Sequence, residues 1–409
     1  MNKNTEIGIS AVEGGAAAAK GFVAAGVACG ARYEGRRDLG LLFSETAGGT
    51  AAFVCTTNVL KAAPLLVTRE AVEGGGVVRA VVANSGIANA ATGRRGLEDA
   101  RRMQALAARE LGIGADEVAV ASTGVIGEHL PMDRIEAGIK SAAADLGPDG
   151  KAFAEAILTT DTRTKEAAAT AEVGGATVTV GGTAKGSGMI HPNMATMLAF
   201  VTTDAAVEEG CLREVLSRAT ERTFNRVTVD GDTSPNDMVL LLANGAAGNE
   251  KITRDSPGYE AFAAALERVM RELAKEIARD GEGATKLVEV VVEGARSEES
   301  AARLARSVVG SSLVKAAAHG EDANWGRVLT AMGYSGEGFD PDGVELFFGP
   351  VKVFGGGAPA PHDAAEANAA LAADEITITA RMSEGEASAE AWGCDLTYEY
   401  VKINGSYRS

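Results

Sequence analysis

Short apolar runs alternate along this chain with amphipathic stretches of helical period, and that alternation confines it to the α/β fold classes. Residues 40–43, 51–56, 77–83, 117–122 and 176–180 read as strands. So do 197–203, 238–243, 287–293, 344–347 and 376–380, and residues 391–403 carry a strand-like alternation. Helical spacing is clearest over 259–277, where Phe262, Leu266, Val269, Met270, Leu273 and Ile277 recur on one face. Residues 97–111, 133–144, 151–158 and 212–220 are further helices. The strand patterns predict sheets with one face buried. Residues 355–370, rich in Ala, Gly and Pro, read as a surface loop or mobile linker. No internal repeat and no compositional boundary divides the chain.

The 51 glycines and the alanine runs lie between apolar segments, and hydrophobic residues make up 46% of the chain, which predicts a packed core of small residues over disorder. The net charge of −17 argues against non-specific nucleic-acid binding, which needs a basic surface. Cys29, Cys55, Cys211 and Cys394 are scattered, without metal-type spacing, and are expected to be small buried residues. The N-terminus lacks a basic start followed by an apolar run, and no apolar stretch is long enough to span a bilayer. A soluble, cytoplasmic protein with no membrane partner is the expectation.

Chemistry concentrates at residues 181–204, GGTAKGSGMIHPNMATMLAFVTTD. A glycine-rich polar loop runs into Pro192, Asn193, Met194, Ala195 and Thr196, and an apolar β-type run follows at once. A threonine at a strand's start needs no chemistry, because β-branched residues fit there. The same placement suits an N-terminal nucleophile. Attack of the Thr196 hydroxyl on the Ala195 carbonyl, an N-to-O acyl shift and hydrolysis would split the chain. The freed α-amine, with an unperturbed pKa of about 7.7–8, could then act as base for its own hydroxyl.

KGSGMIHPNMATML at residues 185–198 resembles the self-processing segment of the ornithine acetyltransferase (glutamate N-acetyltransferase) family. NSGIANAATG at 84–93, ASTGVIG at 121–127, TTDTRTK at 159–165, DGDTSPND at 230–237, DGEGATK at 280–286, HGEDANWGR at 319–327 and the terminal INGSYRS are similar to that family's segments, in its order. The resemblance runs from about Gly21 to Ser409. It implies stacked mixed β-sheets flanked by helices, of the N-terminal-nucleophile type. It also implies self-cleavage between Ala195 and Thr196, giving an α chain of 1–195 and a β chain of 196–409 that fold together first and assemble as α2β2 or larger.

The implied activity is ping-pong transfer of an acetyl group from N-acetylornithine to Thr196 and then to glutamate, in arginine biosynthesis, without metal or redox cofactor. Acetyl-CoA as a further donor stays open. Thr123 and Gly124 match the family's oxyanion pair. Lys185 matches a substrate-binding lysine that faces a carboxylate, and Glu282 the acidic group that holds the substrate amine or side chain. Thr159 and Thr160 match a substrate-contacting hydroxyl, and the resemblance does not choose between them. Asn404 and Ser409 match the C-terminal pair that closes the pocket. His191 and His319 are read as structural, His319 alternatively as interface-forming. Ile87, Ala91, Gly405 and Ser409 depart from the family's usual residues; none of them is Thr196, Thr123, Gly124, Lys185 or Glu282.

Two other readings compete: an amidase or aminopeptidase on the same scaffold, in which water takes the acyl group, and an uncleaved binding or scaffold protein.

Overall fold

The computed structural model describes residues 8–75, 77–191 and 197–406. Up to residue 191 these form β1 (Ser10–Val12), β2 (Phe22–Val27), β3 (Leu39–Ser44), β4 (Thr50–Cys55), α1 (Ala63–Glu73), β5 (Ala80–Asn84), α2 (Gly93–Leu111), β6 (Val118–Ser122), α3 (Met132–Ala144), α4 (Lys151–Ala156), β7 (Lys165–Val173) and β8 (Ala176–Lys185). From residue 197 they form β9 (Leu198–Thr203), α5 (Glu209–Arg222), β10 (Met238–Ala243), α6 (Tyr259–Arg279), β11 (Leu287–Ala295), α7 (Glu298–Gly310), α8 (Ser312–His319) and α9 (Trp325–Gly333). Then come β12 (Glu345–Phe348), β13 (Val351–Gly355), β14 (Ala358–Pro359), α10 (Ala364–Ala369), β15 (Glu375–Arg381), β16 (Ala387–Cys394) and α11 (Tyr398–Ser406).

Two sheets and four helices stack in layers. One sheet has the order β1-β7-β8-β9-β10-β4, the other β2-β3-β5-β6. In β9, Leu198 and Phe200 point into the core shared with the second sheet, and Ala199 and Val201 into the core shared with α5 and α6. In β10, Leu240 and Leu242 face the second sheet, and Val239 and Leu241 face the helices. A strand covered on both faces favours apolar residues on both, which explains the continuous runs 198–201 and 238–243; Thr202 and Thr203 are buried with their hydroxyls bonded to the carbonyls of Ala16 and Thr179. The second sheet does the same: Val81, Ala83, Ala119 and Ala121 meet the first sheet, while Val82, Val118 and Val120 pack with Met103 of α2 and Ile135 and Ile139 of α3. Within it, β5 and β6 are parallel and joined through α2.

The first sheet joins sequence from both sides of residues 195 and 196. β8 pairs with β9 antiparallel, with Lys185 opposite Leu198, and β9 pairs with β10 parallel, with Leu198 opposite Met238. A break between 195 and 196 would therefore leave strands of both pieces bonded within one sheet.

A third sheet, β14-β13-β12-β15-β11-β16, carries its own core with α7 and α9. Leu287, Trp392 and Cys394, at the ends of β11 and β16, sit in the first sheet's core and tie the two together.

Two expectations need correction. Residues 391–403 are not one strand: β16 ends at Cys394 and α11 begins at Tyr398. Asp395 accepts the amides of Thr285 and Lys286, turning the chain off the sheet, and the Thr397 hydroxyl accepts the amide of Glu399 at the helix start. Residues 355–370 are not all loop: they include β14 and α10, which Asp363 caps by accepting the Ala365 amide. Among the described residues no helix is long and apolar enough to cross a membrane.

Candidate active site

A cleft opens where strand ends and loops of the layered sheets converge. The turn after β6, the segment after α4, the end of β8 and the start of β9 form one side. The loop before β10, the turn after α6 and the helix α11 form the other.

Thr123 and Gly124 lie at the first corner. The Thr123 amide donates to the Asn84 carbonyl at 3.0 Å, and the Val125 amide to the Gly86 carbonyl at 3.1 Å. The Gly124 amide between them takes no part in this pairing. Gly124 has φ +132°, and a Cβ there would lie 2.2 Å from the Gly86 carbonyl carbon. Only glycine fits, and the backbone is free to approach a ligand. Asn236 braces the corner by donating to the carbonyls of Ala88 at 2.6 Å and Ser122 at 2.8 Å. Such a rigid turn can hold donors for an oxyanion. Gly124→Ala is expected to displace this turn and lower kcat by about 100-fold, the scale for losing one oxyanion donor; steady-state kinetics of the folded variant check it.

The departures Ile87 and Ala91 fall in the loop next to this turn. The Ile87 side chain is buried in the core against α2 and α3, and its carbonyl accepts from Asn84 Nδ2 at 3.0 Å. Ala91 has φ +56°. The loop meets the Thr123–Val125 turn through its backbone, so these side chains leave the corner intact.

Lys185 ends β8 with its Nζ 2.9 Å from the Thr159 hydroxyl and 3.7 Å from Asp161. Behind it lies a buried charge cluster. Lys165 Nζ donates to Asp161 at 2.8 Å and to Asp280 at 2.6 Å, and the Gly186 amide donates to Asp161 at 2.6 Å. Burial pushes the Asp161 pKa up, but the charges of Lys185 and Lys165 and the bonds it accepts outweigh that and hold it well below the usual carboxylate range.

The far side is acidic. Glu282 is 8% exposed and accepts from Asn404 Nδ2 at 2.7 Å. Gly188 lets it in: a Cβ there would sit 2.3 Å from the Glu282 carboxyl carbon. Asp230, Asp232 and Asp237 also line the cleft, and among the described lining residues Lys185 is the basic one. Tyr400 faces them, and burial together with Asp230, Glu282 and Asp232 pushes its phenol pKa up, so the hydroxyl stays protonated. Among the described residues the cleft sets a lysine against several carboxylates, which fits a small amino acid carrying both charge signs.

Of the residues singled out in the sequence, Thr123, Gly124, Thr159, Thr160, Lys185, Glu282 and Asn404 meet in this one cleft. Ala195, Thr196 and Ser409 lie outside the described residues. Met189, Met197 and Leu198, on either side of 192–196, line the cleft. His191 lines a separate groove, with Nδ1 3.0 Å from the Thr228 hydroxyl and Nε2 3.4 Å from Arg306. Burial and the Arg306 charge lower its pKa, and this placement fits the structural reading. His319 pairs with Asp395 at 3.1 Å, also a structural arrangement. Asp230, Asp232, Asn236 and Tyr400 were not singled out. DGDTSPND marked the first three as a segment, but nothing in the sequence put them on Lys185 or Glu282.

A family model described as the ArgJ family matches residues 23–409. The curated protein named arginine biosynthesis bifunctional protein ArgJ from Symbiobacterium thermophilum is 59% identical over 97% of this chain and 99% of its own length. The protein of the same name from Bacillus subtilis is 51% identical over the whole of both chains. A crystal structure of the arginine biosynthesis bifunctional protein argJ from Bacillus halodurans is similar with 48% identity and a TM-score of 0.51, covering 52% of this chain and 100% of that one.

Proposed function

We propose that this chain, which belongs to the ArgJ family, moves the acetyl group of N-acetyl-L-ornithine onto L-glutamate through an ester on Thr196, in arginine biosynthesis. The observation that carries the reading is the convergence of Thr123, Gly124, Lys185, Glu282 and Asn404 on one cleft flanked by Met189 and Met197.

The cycle begins with self-cleavage. The Thr196 hydroxyl adds to the Ala195 carbonyl, the C–N bond breaks, and the acyl group moves to Oγ. Water then hydrolyses that ester, leaving a carboxylate on 1–195 and an α-amine on Thr196. Both pieces stay joined through β8 and β9. The crystallised relative's chain, matched over its whole length, equals 52% of this chain, the share that a chain of residues 196–409 would have. That correspondence supports the cut.

In acetyl transfer the Thr196 amine takes the proton from Oγ as Oγ attacks the acetamide carbonyl. The Gly124 amide and the Thr123 hydroxyl receive the oxyanion. Collapse breaks the C–N bond, and the proton passes to the departing ornithine amine. The α-amine of glutamate then attacks the ester and restores Thr196. Lys185 meets the substrate carboxylate, with Thr159 held beside it, and the acidic side meets the ornithine ammonium. Asn404 and Ser409 close the pocket. Chain residues carry each step, so the scheme calls for neither metal nor cofactor.

The Symbiobacterium thermophilum and Bacillus subtilis proteins are named bifunctional, and the second activity proposed for this chain is acetyl transfer to glutamate from acetyl-CoA. The working assembly in this reading is a cytoplasmic α2β2 particle.

The test supplies purified protein with N-acetylornithine and glutamate and measures N-acetylglutamate against free acetate. The account expects N-acetylglutamate to dominate by at least tenfold. Acetate as the main product would establish the amidase reading instead. Repeating the assay with acetyl-CoA in place of N-acetylornithine tests the second donor.

A further inference from the structure

We infer that Asp230 is a positioning residue for self-cleavage, holding the backbone that leads into the 195–196 bond; the inference rests on the self-cleaving reading above. Its carboxylate is aimed at two successive amides. Oδ2 accepts the Met189 amide at 2.6 Å and Oδ1 the Ile190 amide at 2.9 Å. Hydrogen bonds to an ionised acceptor are short and roughly twice as strong as neutral ones. They hold an unusual conformation: Met189 has φ +56°, in the left-handed region that a residue with a Cβ avoids.

The loop that presents Asp230 is itself fixed. The Thr228 amide donates to the Trp392 carbonyl at 3.0 Å, and the Val229 amide to the Ile190 carbonyl at 2.7 Å. The buried Lys315 donates to the Val229 carbonyl. The Thr233 hydroxyl donates to the His191 carbonyl at 2.9 Å. Residues 228–233 therefore grip residues 189–191 from several directions. On the other side of 192–196, the Met238 amide donates to the Met197 carbonyl at 2.9 Å, and Leu198 is paired in register with Lys185 and Met238.

Both flanks are thus anchored, but differently. Strand pairing sets the downstream flank. Upstream, residues 228–233 supply the anchor, and within it the Asp230 carboxylate alone takes up the Met189 and Ile190 amides. An intramolecular acyl shift depends steeply on the approach of hydroxyl to carbonyl, and small misplacements of a near-attack geometry cost large factors in rate. Asp230 has the chemistry to hold that approach, since it fixes direction through two bonds at once.

Asp230→Asn keeps the size but turns an NH2 toward one of the two amides. Asp230→Glu keeps both oxygens. The full-length chain is made in a cell-free translation, pulse-labelled, quenched at intervals and resolved on a denaturing gel, and the unfolding midpoint of each product is measured. The wild type is expected to convert to two pieces. Asp230→Asn should convert at least tenfold more slowly while unfolding within a few degrees of the wild type, and Asp230→Glu should recover most of the rate. Conversion of Asp230→Asn at the wild-type rate overturns the inference. So does slow conversion of both variants with a collapsed midpoint, which marks Asp230 as merely structural. A wild-type chain that stays whole removes the self-cleaving reading itself, and the inference with it.

Discussion

Thr196→Ala is expected to leave the chain whole and to abolish acetyl transfer. The hydroxyl that would attack the Ala195 carbonyl is gone, so the precursor accumulates. The mature base is lost as well, because the α-amine appears only when the peptide bond breaks. Nucleophile and base act as a unit, and removing such a unit lowers kcat by about 10⁴-fold or more. Thr196→Ser supplies the control: it keeps a hydroxyl and should still process and turn over. Gel analysis and the N-acetylornithine assay on the same preparations check both. Complete processing of Thr196→Ala would contradict the account.

Lys165→Met carries the largest expected loss of stability. The Lys165 ammonium is fully buried between two carboxylates, Asp161 at 0% and Asp280 at 4% side-chain exposure. Removing it leaves both acids buried without that partner, a loss of about 3–5 kcal/mol. Arg213→Met serves as the contrast, since Arg213 and Glu209 are 58% and 53% exposed and such a pair contributes at most about 1 kcal/mol. The measurement is the unfolding midpoint of each variant; equal midpoints for Lys165→Met and the wild type would refute the cluster's structural role.

The same cluster fixes a pH dependence. The folded Asp161 pKa is depressed below its ordinary 3.8. Its contribution is therefore present above that value and is lost as the pH falls toward the folded pKa. In Lys165→Met the burial that pushes Asp161 up is opposed only by Lys185 and the amides of Gly186 and Thr159, without the Lys165 charge, so acid favours the neutral, less costly form. The stability gap between wild type and variant should narrow as the pH falls below about 5. A gap that widens on acidification would reverse the sign and contradict the assignment.

The central strands were readable because both their faces are covered. β10 is apolar throughout and β9 from Leu198 to Val201, and α6 shows its buried face at helical spacing. β2, FVAAGV, and β7, KEAAATAEV, were not read as strands, since alanine and glycine give little contrast between buried and open positions. α1 was missed for another reason. Leu65 and Val72 face one core while Ala63 and Val67 face another, so no single stripe stands out. At the chain's end, apolar alternation ran on past Cys394 in the sequence, but the bonds of Asp395 and Thr397 turn the backbone into a helix.

The cleft was legible only in part, and through family resemblance more than through spacing. Thr123 and Gly124 sit on a recognisable strand end, and Lys185 and Glu282 fall within glycine-flanked motifs. The buried cluster behind them was not visible as a cluster. Asp161 and Lys165 lie near each other in sequence, but Asp280 reaches them across 115 residues. Asp230 meets Met189 across 41 residues, and only the fold puts that carboxylate beside the end of the glycine-rich loop.

N-terminal sequencing of the purified, active protein tests the central claim most directly. The account predicts two polypeptides of nearly equal size, the second starting Thr-Met-Leu-Ala-Phe-Val at Thr196. A single active chain of the full 41.7 kDa, with no new terminus, would contradict it.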